Sequence, residues 1–392
     1  MVYCKKLSIL FLIIFLISCT GESIKDLSEI EVDLDRSEEG KLSDFAESIE
    51  YILLDYPEEF PMVWPHNVKF DKYNNIYIRD LETNQLFVFD SKGKFKNIFL
   101  PKGKGPGEFF QISDFQIVDG IAIIFDTSIN KIIEFDSLGN FIEEFRIVNK
   151  NLNFFQGDSY ILNFTSYNPE YDGFNFIKIE DGKDGFTGFI PIPKEKESIG
   201  NFDSQIGFME DFHRDKVYFN VPMSYEIVSF DKKNGNLAKK QTLNFQRYTM
   251  PNEYLKLPRQ EMYSLQEERN LVRDISSFFP FKGFYFYSIR QGMGKKNHVL
   301  ILNEKDEIIY QKFNHVNDID GMGILGFPWS FTKDEVVHLV SSGDFYNEYL
   351  KSFNGKKVKG SANNIHGFFK ANESKLKDDY RILVKYKLKD FS

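Results

Sequence analysis

Six histidines carry the widest chemical range in this chain: His66, His213, His298, His315, His338 and His366. None lies in HExxH or HxH spacing, the patterns that set two imidazoles on one face for zinc. His66 and His213 fall on, or beside, the innermost strands of separate repeats. A zinc site would need them to meet across a channel, with His366 as a third ligand from a long insertion. An isolated histidine more often packs as a satisfied interior or surface residue. Asp114, Asp211 and Asn67 carry the hard oxygen ligands that suit calcium. Arg79, Asp80, Asp126 and Arg290 end strands, and Trp64 and Trp329 lie where strands begin. Aromatic platforms with a few polar groups describe many ligand sites. The candidate ligand-binding set is therefore Trp64, His66, Arg79, Asp80, Asp114, Asp126, His213, Arg290 and Trp329. Salt bridges between repeats and core packing are the competing use of the same side chains. No catalytic residue is assigned and no resident cofactor is expected; calcium or zinc in a central channel is the alternative.

Lys102 to Glu108, KGKGPGE, joins glycines to lysines and invites a phosphate cradle. A P-loop needs GxxxxGK[ST] between a strand and a helix. The spacing here differs, and strands follow. The segment reads as a structural crossover, with glycine at positive φ and Glu108 bonding neighbouring backbone amides. No GxSxG elbow, EF-hand loop or dinucleotide fingerprint occurs. Both cysteines, Cys4 and Cys19, precede Thr20. The rest of the chain offers no thiol nucleophile, disulfide or cysteine-bound zinc. A net charge of −9 argues against a nucleic-acid partner.

Strands must position these residues. Aromatics make up 16% of the chain, with 42 Phe and 20 Tyr, a bias that favours strands. LFVFDSKGKF at 86–95 reads as strand, tight turn, strand. It returns as KIIEFDSLGNF at 131–141 and as YEIVSFDKKNGNL at 225–237. Four antiparallel strands in about 40 residues make a propeller blade. Six such units can be traced. The third is diverged, with strands expected at Tyr160–Phe164, Phe174–Glu180 and Gly185–Pro191. The sixth shows three strands, and the unpaired Ile49–Leu54 supplies its fourth, which removes two free sheet edges. The fold class is all-β: a six-bladed β-propeller closed by the N-terminal strand, with a helical insertion between blades 4 and 5. That insertion, Asn252–Ile275, has Pro258 at a helix start and Met262, Leu265, Val272 and Ile275 on one side. A second insertion, Ser341–Asp379, separates two strands of blade 6. Strand alternation places both insertions and the Gly103–Gly107 loop on one face and short turns on the other. Insertions in repeat folds map to one face, often the binding face.

The chain starts as a targeting signal. Lys5 and Lys6 precede an apolar run, Leu7–Ile17, and then Leu16-Ile17-Ser18-Cys19 forms a lipobox-like motif. Cleavage before Cys19 would leave its sulfur to carry lipid. The expected organisation is a signal peptide over 1–18, a polar tether over 19–48 and the propeller over 49–392.

SDFAESIEYILLDY at 43–56, NNIYIRDLETNQLFVFDSKGKF at 74–95, KGKGPGEF at 102–109, DFQIVDG at 114–120 and RILVKYKL at 381–388 resemble the six-bladed β-propeller lipoproteins of Bacteroidetes, a group related to NHL-repeat propellers. The resemblance is strongest over 43–141 and at the C-terminal strand. It implies the fold and an envelope address, and little mechanism; the expected location is lipid-anchored, at the outer membrane rather than the inner, with the periplasmic or surface-facing side left open. The expected function is binding of a carbohydrate, a peptide or an envelope protein on the insertion-bearing face, with the membrane reached through the lipid alone. A metal-dependent hydrolase or lyase at the central channel is the alternative. A structural subunit of an envelope complex is a further one.

Overall fold

An aspartate that recurs after third strands, as Asp90, Asp136 and Asp231, sets the pitch of the fold. The carboxylate of Asp90 accepts the N–H of Lys92 at 2.9 Å and of Lys94 at 3.0 Å. Asp136 does the same for Leu138 at 2.9 Å and Asn140 at 2.8 Å, and Asp231 for Lys233 at 2.9 Å. An aspartate that binds its own downstream backbone closes a tight turn. Gly93, in the first of these turns, has φ +81°, and a Cβ there would lie 2.2 Å from the Leu53 carbonyl oxygen. Only glycine fits both constraints.

The structure is a computed structural model and describes residues 27–147, 153–168, 173–199, 204, 206–361 and 364–391. Three strands lead: β1 (Leu27–Glu31), β2 (Glu38–Lys41) and β3 (Ala46–Leu54). Blade 1 is β4 (Pro65–Phe70), β5 (Ile76–Asp80), β6 (Gln85–Phe89) and β7 (Phe95–Phe99). Blade 2 is β8 (Asp114–Val118), β9 (Ile121–Asp126), β10 (Lys131–Phe135) and β11 (Phe141–Arg146). Blade 3 is β12 (Asn153–Gln156), β13 (Tyr160–Phe164), β14 (Phe174–Glu180) and β15 (Thr187–Pro191). Blade 4 is β16 (Phe208–Glu210), β17 (Lys216–Asn220), β18 (Glu226–Asp231) and β19 (Leu237–Asn244). Blade 5 is β20 (Val272–Phe281), β21 (Phe284–Gln291), β22 (Lys296–Leu302) and β23 (Ile308–Val316). Blade 6 is β24 (Ser330–Phe331), β25 (Glu335–Ser341) and β26 (Arg381–Leu388), completed by β3. Helix α1 (Arg259–Glu268) precedes blade 5, and α2 (Ser342–Phe353) and α3 (Ile365–Leu376) interrupt blade 6.

The closure is the expected one. β3 pairs antiparallel with β26 from Ala46↔Leu388 to Leu54↔Arg381. Ile52 and Leu54 are buried there.

First strands touch their neighbours from β24 to β4, β8, β12 and β16, so they line the channel. Each seam between blades carries a polar stitch. Lys69 Nζ reaches Asp114 Oδ1 at 3.3 Å from blade 1 to 2. The Phe154 N–H donates to Asp114 Oδ2 at 3.2 Å from blade 3 to 2. The Ser204 N–H donates to Asn153 Oδ1 at 2.9 Å, from the approach to blade 4 back to blade 3. Asn220 Nδ2 donates to the Ile275 carbonyl at 2.8 Å, from blade 4 to 5. Ser277 Oγ donates to Pro328 O and Ser330 Oγ to Val68 O, both at 2.6 Å, which joins blade 5 to 6 and blade 6 to 1. Buried polar groups need partners, and in these stitches the adjoining blade supplies them. Aromatic rings fill the seams beside the stitches. Phe164 and Phe219 lie 4.5 Å apart across blades 3 and 4, and Phe279 and Phe331 lie 4.9 Å apart across blades 5 and 6.

Three expectations need correction. The tether over 19–48 is much shorter, because β1 adds in parallel to β19 and β2 to β23, as fifth strands of blades 4 and 5. Ile30, Val32, Leu34, Leu42 and Phe45 are buried in that strap. Its charged residues hid an alternation that reads as polar in sequence. Val272 and Ile275 belong to β20 and not to the insertion helix. Blade 3 is complete, because Asn153–Gln156 is its inner strand.

Two outcomes test this construction. Leu54 is fully buried at the closure, so Leu54→Ala should cost about 2–5 kcal/mol in urea unfolding; a loss below about 1 kcal/mol would contradict it. His298, His315 and His338 pack between blades 5 and 6, and burial pushes each ring's pKa down to about 4. The unfolded rings titrate near 6.5. Between these values only the unfolded chain takes up protons, so the stabilisation is complete above pH 6.5 and is lost as pH falls towards 4. Each tenfold preference for the neutral ring is about 1.4 kcal/mol. Urea midpoints should therefore fall steadily from pH 7 to pH 5, above the range of most carboxylates. A flat midpoint there would contradict the burial.

Candidate functional site

Strands alternate direction outward from the channel, so links between blades and between second and third strands share one face. The site is assembled from those links at the channel mouth. His66 lies at the start of β4 and Trp329 just before β24, so closure of blade 6 against blade 1 brings them together. Their rings meet edge to face at 6.4 Å and 88°. Trp329 stacks on Phe327 at 5.7 Å and 9°. The Arg290 guanidinium, at the end of β21, sits 4.9 Å from the Phe327 centroid. Arg290 Nε donates to Asp274 Oδ1 at 2.8 Å, and Nη2 donates to Oδ2. The two residues face each other across β20 and β21. A planar guanidinium held at two points by a carboxylate is fixed in orientation and can rest flat on an aromatic face. Trp64, two residues before His66, is 59% exposed.

Beside this row a smaller pocket of about 190 Å³ runs under α1, with Tyr263, Gln266, Arg273, Asp274 and Arg290 in its wall. Ile206 borders this pocket and also the cavity at the opposite end of the channel. That opposite cavity, about 350 Å³, lies among the short turns. Phe155, Phe208, Phe212 and Phe331 wall it, and its rim charges are paired: Lys72 with Asp119 at 2.8 Å and Lys232 with Glu210 at 2.5 Å. The short-turn face is thus less plain than its turn lengths suggest.

The remaining candidates serve the scaffold. Asp80 is fully buried and accepts the N–H of Trp64 at 2.7 Å, of Glu82 at 3.0 Å and of Thr83 at 2.9 Å. Asp126 is fully buried too and accepts from Phe110 at 2.7 Å, Gln111 at 3.2 Å and Ser128 at 2.9 Å. Both fix loops that lead into or out of a blade. Arg79 is buried and donates to the Ser113 carbonyl and to Asn67 Oδ1. Asp114 is the stitch described above.

The metal constellations do not assemble. His213 sits in the β16–β17 turn, on the face away from His66, where its N–H donates to Asp211 Oδ1 at 2.8 Å. Asp211 is there held by Arg214 Nε at 2.6 Å. His366, on α3, bonds Tyr349 Oη at 2.9 Å inside the insertion. Asn67 pairs with His66 Nδ1 at 2.7 Å, on the other face from Asp211. Among the described residues no three His, Asp or Glu side chains stand close enough to hold an ion. Cys19 lies outside the described residues.

The glycine loop is a crossover that Lys131, from β10, fills. Glu108 Oε2 accepts the Gly105 N–H at 2.9 Å, as expected. The sequence did not disclose that Lys131 Nζ reaches the Gly105 carbonyl at 2.9 Å and Glu144 at 2.9 Å. Nor did it disclose Asp274, Arg273 and Tyr263 as site residues. Their signal is the cross-strand register of Asp274 with Arg290, which a helical reading of 272–275 conceals.

The profile of DUF5128, a 6-bladed beta-propeller family, matches residues 22–339. No curated protein matches the chain. Among solved structures, a Bacteroides fragilis protein described as exported superposes with a TM-score of 0.64 at 13% identity, covering 93% of this chain and all (100%) of that one. A member of the duf4221 family from Bacteroides vulgatus gives 0.46 at 11% identity, covering 88% and 97%. At these identities the likeness is one of fold.

If Asp114 is a stitch and not a metal ligand, removing it should damage stability alone. Asp114→Ala leaves the Lys69 ammonium without its carboxylate and should cost about 3 kcal/mol or more. Calcium should not shift the melting temperature of the wild-type protein. A calcium-dependent rise in melting temperature that vanishes in Asp114→Ala would reverse the assignment.

Proposed function

The chain belongs to the DUF5128 family of 6-bladed beta-propellers, and on that premise we propose that it is a binding protein of the cell envelope that takes a carbohydrate at the long-loop mouth of its channel. One observation carries the reading: the row His66, Trp329, Phe327, Arg290 and Asp274, contributed by blades 1 and 5 and the link from blade 5 to blade 6, with exposed Trp64 beside it. Sugar rings offer C–H faces to aromatic rings and hydroxyls to guanidinium and carboxylate groups. The row supplies both, the usual make-up of a ligand site.

A second reading rests on the opposite cavity. Its phenylalanine walls and paired rim charges suit an apolar side chain of a peptide or partner protein. A structural subunit of an envelope complex would use the same surface. The hydrolase or lyase reading has less support, because His66, His213 and His366 lie apart.

Lipidation at Cys19 would place the propeller close to a membrane, the outer one being favoured. Eight residue steps separate Cys19 from Leu27, the start of β1. Fully extended, they reach about 28 Å. The outer edge of blade 4 would therefore stay near the lipid surface.

A glycan array probed with the protein lacking residues 1–18 tests the function. A hit should weaken about three- to tenfold in Trp64→Ala and in Trp329→Ala, the size of one lost aromatic contact, while Phe212→Ala leaves it unchanged. Peptide binding that Phe212→Ala abolishes and Trp329→Ala spares would favour the second reading instead.

A further inference from the structure

The wedge between blades 5 and 6 encloses a cavity of about 400 Å³, within the size range of small-molecule sites. Phe45, Phe286, Phe327 and Tyr386 supply apolar walls. Among the described residues no Asp, Glu, Lys or Arg lines it; its polar groups are the Tyr386 hydroxyl, Ser288, Asn297, Asn314 and three histidines, His298, His315 and His338. A charged ligand would find no counter-ion there.

Hydrogen bonding fixes where two of the ring protons sit. His298 Nε2 lies 2.9 Å from Gln291 Oε1, while Gln291 Nε2 donates to the Asn270 carbonyl at 3.0 Å. The amide therefore turns its oxygen to the imidazole, and Nε2 carries the proton. Nδ1 is left as a bare acceptor, buried with no hydrogen-bond partner. His338 Nδ1 lies 3.2 Å from the Leu325 carbonyl, so Nδ1 is protonated and Nε2 is bare. Burial keeps both rings neutral at pH 7. An unpartnered buried acceptor is a standing cost that a hydrogen-bond donor would remove. The nitrogens also come from different strands of different blades, which fixes them in place.

We propose that this wedge is a second ligand site, which shares only Phe327 with the row at the channel mouth, for a neutral aromatic or heteroaromatic molecule whose N–H or O–H donates to the bare nitrogen of His298 or His338. The apolar walls take the ring, the imidazoles take the donor, and the lack of charged lining selects against ionised compounds.

Saturation-transfer NMR with indole and phenol, against benzene as a ring without a donor, tests the site on the protein lacking residues 1–18. Indole or phenol should bind saturably, and benzene at least tenfold more weakly. His298→Leu and His338→Phe should each weaken indole at least fivefold, while Trp64→Ala leaves it unchanged. Should either histidine variant fail to fold, wild-type protein labelled with ¹⁵N-histidine gives the same answer. Indole should then shift one bare imidazole nitrogen of His298 or His338 towards its hydrogen-bonded position. Equal binding of benzene and indole, no saturable binding, or unmoved histidine resonances would each overturn the proposal.

Discussion

Ring closure is the constraint on which everything else depends. Six wedge-shaped sheets meet around an axis, and every seam must be tight at its narrow inner edge. Hydrophobic packing fills the seams with phenylalanine rings from neighbouring blades, on second strands between blades 3 and 4 and on first strands between blades 5 and 6. The narrow inner edge is held in addition by polar contacts. There a side chain from one blade bonds the next: Asp114 to Phe154 N–H, Asn220 to Ile275 O, Ser277 to Pro328 O, Ser330 to Val68 O. The first and last blades are further locked by β3, which comes from the opposite end of the chain to its partner β26.

That arrangement consumes most of the polar groups near the axis. Carboxylates by a propeller channel look like ligands, yet Asp80, Asp114 and Asp126 each hold two or more backbone N–H groups. What is left for recognition is less buried and more aromatic. The long-loop mouth presents rings and an oriented guanidinium, and the N-terminal strap sets the outer edge of blades 4 and 5 well away from that row.

Much of the fold was legible because its signals are local. Phe-Asp-x-x-Gly turns recur, since an aspartate and a glycine at positive φ make the hairpin, and Gly93 has a second reason in its approach to Leu53. The closing strand was legible as an unpaired apolar run. The strap was not, because parallel addition at an outer edge buries only alternate residues such as Ile30, and the rest are charged. Of the site, Trp64, His66, Trp329 and Arg290 were visible as residue types at strand ends. Their aspartate partner was hidden by an apolar spacing that fits helix and strand alike over 272–275. The histidines of the wedge gave no motif, because three blade-5 and blade-6 strands bring them together only in space.

The central claim is that the buried carboxylates around the channel are architecture and not an empty ion site. Native-state hydrogen exchange at the amides of Trp64, Phe110 and Phe154, which donate to Asp80, Asp126 and Asp114, measures this directly. The account predicts slow exchange at all three in metal-free protein, unchanged by added calcium or zinc. Fast exchange that slows only when an ion is supplied would contradict it.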